Sequence, residues 1–276
     1  MIRLRAAFRA MYRHPLSKLV RLLMALPLAI VATIALLATP AFAQKPSQTA
    51  AAPTANTAKA EEKIPPPLKF YKGREIAQTM HYLGAPWLVR ESRDREEDCK
   101  TMLKALKIKP GEVVCDMGCG NGFYSLKLAR LVGPSGKILA VDIQPEMLHL
   151  LKERAKAADV KNIDLILGST VDPKLPPAGV DLILCVDVYH EFSNPEEMLA
   201  AMRKSLKPGG RLVLAEFRGE DPNVPIKPLH KMTKDQVLKE LPPNGFKLVE
   251  QFEKLPWQHL LFFESDAKEP EATAAK

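Results

Sequence analysis

From Lys109 to Phe217 the chain alternates short apolar runs with amphipathic stretches, and this alternation leaves few folds open. EVVCDMG (112–118), KILAVDI (137–143), IDLILG (163–168), DLILCVDV (181–188) and RLVLAEF (211–217) are apolar nearly throughout. Between them lie FYSLKLARLV (123–132), which has helical spacing, and PEMLHLLKERAKAADV. The latter opens on a proline suited to a first helical turn and aligns Met147, Leu148, Leu151 and Ala155. PEEMLAAMRKSLK and the turn PGG precede the fifth run. Strands without polar alternation, separated by helices, predict a parallel sheet covered on both faces, hence a doubly wound α/β fold. After Phe217 come a proline-rich loop, a helix capped near Thr233, and the runs GFKLVEQF and HLLFFES. The connection between those two runs is too short for a parallel crossover, so they pair antiparallel at the sheet edge, giving seven strands. Upstream, Gly73 to Leu106 reads as two helices broken at GAPW.

The flanks have a different character. Met1 to Arg21 carries Arg3, Arg5, Arg9, Arg13, Lys18 and Arg21 with no acid, and 17 apolar residues follow from Leu22 to Ala38. Ala41 and Ala43 then flank Phe42, the order of a secretory signal. An uncleaved membrane anchor is the alternative, because the apolar stretch reaches the lower limit for a span. On either reading of residues 1–43 the chain is expected outside the cytoplasm, exported to periplasm or medium, or anchored at a membrane. Residues 44–69, rich in Ala and Pro, read as a disordered linker, 70–265 as the folded domain and 266–276 as a disordered tail. Six of the eight excess positive charges sit in the leader, leaving +2 for the remainder, too little to mark a nucleic-acid surface. Cys99, Cys115, Cys119 and Cys185 lack the paired spacing of a zinc site and read as buried apolar residues, with a disulfide or redox role left open. No metal ligand set is read.

CDMGCGNG (115–122) follows the first strand and places Gly118, Gly120 and Gly122 at the carboxyl end of the sheet, where open α/β folds bind ligands. The pattern departs from the dinucleotide fingerprint, whose third glycine would fall on Phe123. D-x-G-x-G-x-G, then AVDI, DLILCVDVYHEF and LKPGGRLVLAEF in that order, resembles the class I S-adenosylmethionine-dependent methyltransferases. The likeness is to their small-molecule branch, which includes quinone methyltransferases, and it runs from about Arg90 to Glu264. It implies a Rossmann-like sheet with an antiparallel last strand and S-adenosyl-L-methionine as cofactor. By the same resemblance Asp116, Gly118, Cys119, Gly120 and Gly122 hold the methionine end, and Asp142 with Ile143 meets the ribose. Asp187 and Val188 lie under the methionine, and Ser169 or Thr170 stands where many relatives place an acid for the adenine.

Methyl transfer is an in-line displacement that needs alignment, and a base where the acceptor carries a proton. His190 has the ordinary pKa for that base, with Glu191 beside it; Tyr189 is an aromatic that could face a sulfonium. The alternative for His190 is packing beneath the cofactor or capping the next helix. Trp87 and Arg90, in a helical lid over 70–108 that also holds Arg93, are candidates for substrate contact. So is His230, in a loop with Lys227 and Lys231. The expected partner is a small-molecule acceptor, phenolic or quinone-like. The competing function is an exported, non-catalytic binding protein for an adenosyl-type ligand.

Overall fold

The computed structural model describes residues 64–266. The expected leader (1–43), the linker up to residue 63 and the tail from 267 lie outside the described residues. Seven strands form one sheet: β1 (Val113–Met117), β2 (Lys137–Asp142), β3 (Ile163–Leu167), β4 (Val180–Val186), β5 (Leu206–Phe217), β6 (Phe246–Phe252) and β7 (Gln258–Ser265). Their spatial order is β3-β2-β1-β4-β5-β7-β6, with β7 antiparallel to both of its neighbours and the first five strands parallel. The expected fold class and the antiparallel last strand are both present.

Side-chain alternation along the strands divides the core in two. Val114, Ile138, Leu182, Val213 and Phe262 point to the face covered by α2 (Cys99–Ala105), α3 (Phe123–Val132) and α4 (Pro145–Ala157). Met117, Leu139, Ile183, Leu212 and Phe263 point to the face covered by α5 (Pro195–Ser205) and α6 (Lys234–Glu240). Because both faces are buried, the central strands carry no polar alternation. The α4 face is the one its spacing predicts, with Met147, Leu148, Leu151 and Ala155 buried.

Three local expectations are corrected. GAPW breaks nothing: it lies inside a 3₁₀ helix, Tyr82–Val89, whose N-cap is His81. The break comes later, at Asp98, whose left-handed backbone (φ 44°) separates α1 (Arg93–Glu97) from α2 and whose side chain accepts from the Thr101 N–H. In place of the first helix there is a ribbon pairing Phe70–Tyr71 with Arg74–Glu75. Second, α5 stops at Ser205 and β5 begins at once; Leu206 pairs with Val180 and Arg211 with Leu182, so the PGG turn is a bulge within the strand. Third, residues 64–69, counted with the linker, have fixed partners. The Leu68 N–H donates to Ser193 O, and the Asn194 amide donates to Pro65 and Pro66.

All four cysteines are free and buried. Burial pushes the Cys99 thiol up to about 12 and the other three well above the ordinary value, which disfavours the thiolate form. Among the described residues no helix is long and apolar enough to cross a membrane.

Candidate active site

The carboxyl ends of β1, β2 and β4 open on a cavity of about 730 Å³. Its floor is the glycine loop. Gly118 (φ +65°) and Gly120 (φ +53°) have backbones that favour glycine, and a Cβ would come within 2.3 Å of Val188 Cγ2 at the first and 2.7 Å of Leu88 Cδ1 at the second. Beside the loop, Asp142 Oδ2 accepts the Gly120 N–H and Oδ1 the Gln144 N–H, each at 2.9 Å. Burial raises the Asp142 pKa, while the N–H groups of Gln144, Gly120 and Ile143 oppose the rise. Each carboxylate oxygen keeps a further lone pair, which suits a pair of hydroxyl donors.

Asp187 follows β4 in a left-handed backbone conformation (φ 53°) that is costly for a residue with a side chain. Its Oδ2 accepts from Gln258 Nε2 at 2.8 Å, but its Oδ1 is buried without a partner among the described residues. Burial pushes its pKa well up, and the negative charges of Glu97 and Glu216 push the same way; Gln258 and Arg93 oppose them. Asp187 lines the cavity, where a ligand donor would complete this oxygen. The glycine cradle, Asp142 and Asp187 Oδ1 therefore fit a nucleoside cofactor that carries an amino-acid end.

The rest of the sequence-predicted set divides. Ile143, Thr170 and Val188 line the cavity, as do His190, Glu191, Trp87 and His230. Ser169 also lines it, but its hydroxyl accepts the Asp172 and Val171 N–H groups and donates to Asp172 O, closing its own turn. That leaves Thr170 as the hydroxyl free to meet a base. Asp116 is not on the wall: it is buried beneath the loop and accepts from Ser125 Oγ at 2.5 Å, and burial pushes its pKa up to about 6. Cys119 turns into the core, and Gly122 packs against Leu151 rather than the cavity.

Tyr189 is corrected most clearly. Its ring is fully buried, its hydroxyl donates to Glu240 Oε2 at 2.7 Å, and the cation near the ring is the Arg74 guanidinium at 5.6 Å. It does not face the cavity. Arg90 is likewise spent within the lid, paired with Glu96 and Glu97 and stacked over Trp87 at 3.8 Å. Arg93 reaches the wall instead, buried between Glu97 and the Leu88 carbonyl.

Also on the cavity wall, His190 Nδ1 lies 2.6 Å from Glu216 Oε2 and its Nε2 lies 3.1 Å from His230 Nδ1, the two rings standing at 89°. Burial lowers the His190 pKa, yet the adjacent Glu216 carboxylate outweighs it and the net shift is upward. The His230 pKa is lowered by burial and by the positive charge of His190 and Lys227. Burial pushes Glu191 up to about 7, helped by the charges of Glu216 and Asp142 and opposed by His190 and the Met80 N–H. Glu216, Gln144 and Gln258 were not read as site residues from sequence. Glu216 had a signal, an acid ending the apolar run RLVLAEF, as Asp116 and Asp142 end theirs; the two glutamines had none.

A doubly wound sheet in this strand order, with a glycine cradle after β1 and an acid at the end of β2, defines an α/β protein that binds a nucleoside cofactor at its strand ends. Residues 108–262 match the model of the methyltransferase domain family, more than half of the chain, and the chain belongs to that family. It is 29% identical over 126 residues to the demethylmenaquinone methyltransferase of Listeria monocytogenes, covering 46% of this chain and 52% of that one. It is 30% identical over 111 residues to the ubiquinone/menaquinone biosynthesis C-methyltransferase of Pasteurella multocida, covering 40% and 41%. The chain thus spans about half the length, or less, of these curated relatives. A solved S-adenosylmethionine-dependent methyltransferase from Aquifex aeolicus superposes with a TM-score of 0.64 at 25% identity, over 67% of this chain and 98% of that one. Residues 108–262 are thus a methyltransferase domain, in a fold shared with an S-adenosylmethionine-dependent enzyme.

Proposed function

We propose that the acceptor is a small, planar, phenolic or quinol-type molecule, methylated at the end of the cavity walled by Trp87, Phe192, His190, Glu191 and His230. The observation that carries this reading is the continuity of one cavity. The glycine cradle, Asp142 and the histidine wall all line this one cavity, of about 730 Å³. That size lies within the range of small-molecule clefts. The bound cofactor supplies a methyl group on a sulfonium. The Gly118–Gly120 backbone, Asp142 and Asp187 hold the donor in place, and the aromatic wall sets the acceptor in line with it and keeps water away. An acceptor with an acidic oxygen is ionised beside the histidine wall, its proton passing to water. The names of the quinone-type relatives support the acceptor class.

The test has two stages. Calorimetric titration of S-adenosylhomocysteine is expected to give micromolar binding that Asp142→Ala weakens at least tenfold. Incubation with S-adenosylmethionine and a panel of catechols, hydroquinones, naphthoquinols, amines and thiols should then release S-adenosylhomocysteine only with the phenols and quinols. Turnover confined to amines or thiols would remove the acceptor class. Binding with no turnover on any acceptor would favour a non-catalytic binding protein.

A further inference from the structure

Three donor atoms converge on the acceptor wall. His190 Nε2 and His230 Nδ1 are 3.1 Å apart, and Glu191 Oε1 stands 3.9 Å from each. The point equidistant from these three corners lies about 2.1 Å from every one of them, the length of a bond from zinc to imidazole nitrogen or carboxylate oxygen. Two imidazoles and one carboxylate leave the remaining coordination positions facing the cavity, as in catalytic rather than closed structural sites.

The surroundings of the three atoms point the same way. Glu216 Oε2, 2.6 Å from His190 Nδ1, holds the imidazole in the tautomer whose Nε2 carries a lone pair toward His230 and Glu191. Glu216 is itself fixed, since its other oxygen accepts the Tyr189 N–H at 2.8 Å. A buried carboxylate behind a histidine whose other nitrogen faces further donor atoms is the usual support of a metal ligand. Two carboxylates, Glu191 and Glu216, face this pair of imidazoles. The nearest cations lie to the sides: Arg74 is bonded to Glu240 and to the His190 carbonyl, and Lys227 lines the cavity. Without a cation, the facing nitrogens of His190 and His230 must share one proton. A cation takes that proton's place, and His230 then carries its own proton on Nε2.

We propose that His190, Glu191 and His230 bind one divalent first-row transition-metal ion of the zinc class at the acceptor end of the cavity. Two imidazoles among three donors favour such an ion over magnesium or calcium, which take oxygen ligands. Its role in turnover rests on the methyl-transfer reading above. An acceptor hydroxyl that reaches the open positions gives its proton to water, and its oxygen takes the methyl group as the carbon–sulfur bond of the donor breaks, with no change of oxidation state.

The full chain, stripped with EDTA, is titrated calorimetrically with Zn²⁺, with Mg²⁺ as control, and Co²⁺ binding is followed by its visible absorption. One ion per chain with micromolar or tighter affinity is expected for Zn²⁺, none for Mg²⁺. His230→Ala and Glu191→Gln should each weaken Zn²⁺ binding at least tenfold and abolish the Co²⁺ band, and Glu216→Gln should weaken it by a factor of about 10 to 100. His230 is half-exposed, so its alanine variant is expected to fold, checked by unchanged affinity for S-adenosylhomocysteine. Absence of Zn²⁺ binding, or equal binding by His230→Ala and Glu191→Gln, overturns the site. S-adenosylhomocysteine affinity measured in EDTA separates the two readings: metal binding without nucleoside binding removes the methyl-transfer reading alone, and the reverse removes the metal site alone.

Discussion

Tyr189 and His190 are adjacent in the chain and point to opposite sides of one 3₁₀ turn, so a sequence motif that joins them joins a core residue to a cavity residue. The turn Tyr189–Glu191 follows a left-handed Asp187, and this sends the phenol back toward α6 while the imidazole stays at the wall. Tyr189→Phe removes one hydrogen bond to the buried Glu240, so a loss of about 1.5–3 kcal/mol in unfolding free energy is expected, with turnover unchanged at a temperature where the variant is folded. A large fall in kcat in the folded variant would return Tyr189 to the chemistry. Asp116 gives a second test at this scale, through pH. Its folded pKa of about 6 stands above the ordinary 3.8, so between those values the folded state holds more protons than the unfolded one. Stability therefore falls as pH rises through that window, by an amount on the order of 3 kcal/mol when fully ionised. Asp116→Asn cannot ionise and escapes this loss, while its carbonyl oxygen can still accept from Ser125. The difference in melting temperature, variant minus parent, should shift in favour of the variant from pH 4 to pH 7. A difference that is flat with pH would mean that the carboxyl ionises as easily folded as unfolded. Both lessons come from burial, which residue type alone does not reveal: a motif acid and a motif aromatic proved to be interior groups.

Between elements, the segment over the cavity is held by its bonds to the sheet loops rather than by helical periodicity of its own. Gln144, at the N-cap of α4, accepts the Tyr82 N–H through Oε1 and donates to the Met80 carbonyl through Nε2, both at 2.9 Å. Its own N–H goes to Asp142. Asn121, inside the glycine loop, donates to the Ala85 carbonyl at 2.9 Å, and Arg93 donates to Leu88 O. Gly73 to Leu106 has enough apolar residues for helices, but partners distant in sequence fix where they begin, so the expectation of two helices broken at GAPW misses the form of this segment. The parallel strands were legible because burial on both faces writes an unbroken apolar run into each, independent of any partner. Gln144→Ala removes both links to the lid and leaves the Asp142 contact, which is made by backbone. It should weaken S-adenosylhomocysteine binding by a few-fold to tenfold and speed limited proteolysis between residues 73 and 95. Unchanged proteolysis would show that Asn121 and Arg93 are enough to hold the segment.

Taken as a whole, the molecule places its most protected strands beneath its least regular segment. β1 is flanked by β2 and β4, and the side chains of all three are almost wholly buried. β3 closes one edge with a mostly exposed or half-buried face, Leu165 and Leu167 among its exposed residues. Local opening follows such differences, so amides of β3 should exchange with solvent well before those of β1 and β4. A ligand that binds only the folded form adds stability by mass action, about 2.7 kcal/mol at a hundredfold excess over Kd. That gain appears in full only at amides whose opening destroys the binding site. Saturating S-adenosylhomocysteine is therefore expected to slow exchange at residues 78–89, 118–122 and 142–144 and to leave the first half of β3 nearest its unliganded rate, since only the end of β3, where Leu167 pairs with Asp142, adjoins the site. Hydrogen exchange read by mass spectrometry over peptides from these four regions decides the matter. If β3 slowed as much as the 78–89 segment, the edge strand and the cover would open together, and the lid would be part of one cooperative unit rather than a separate element closing on the cofactor.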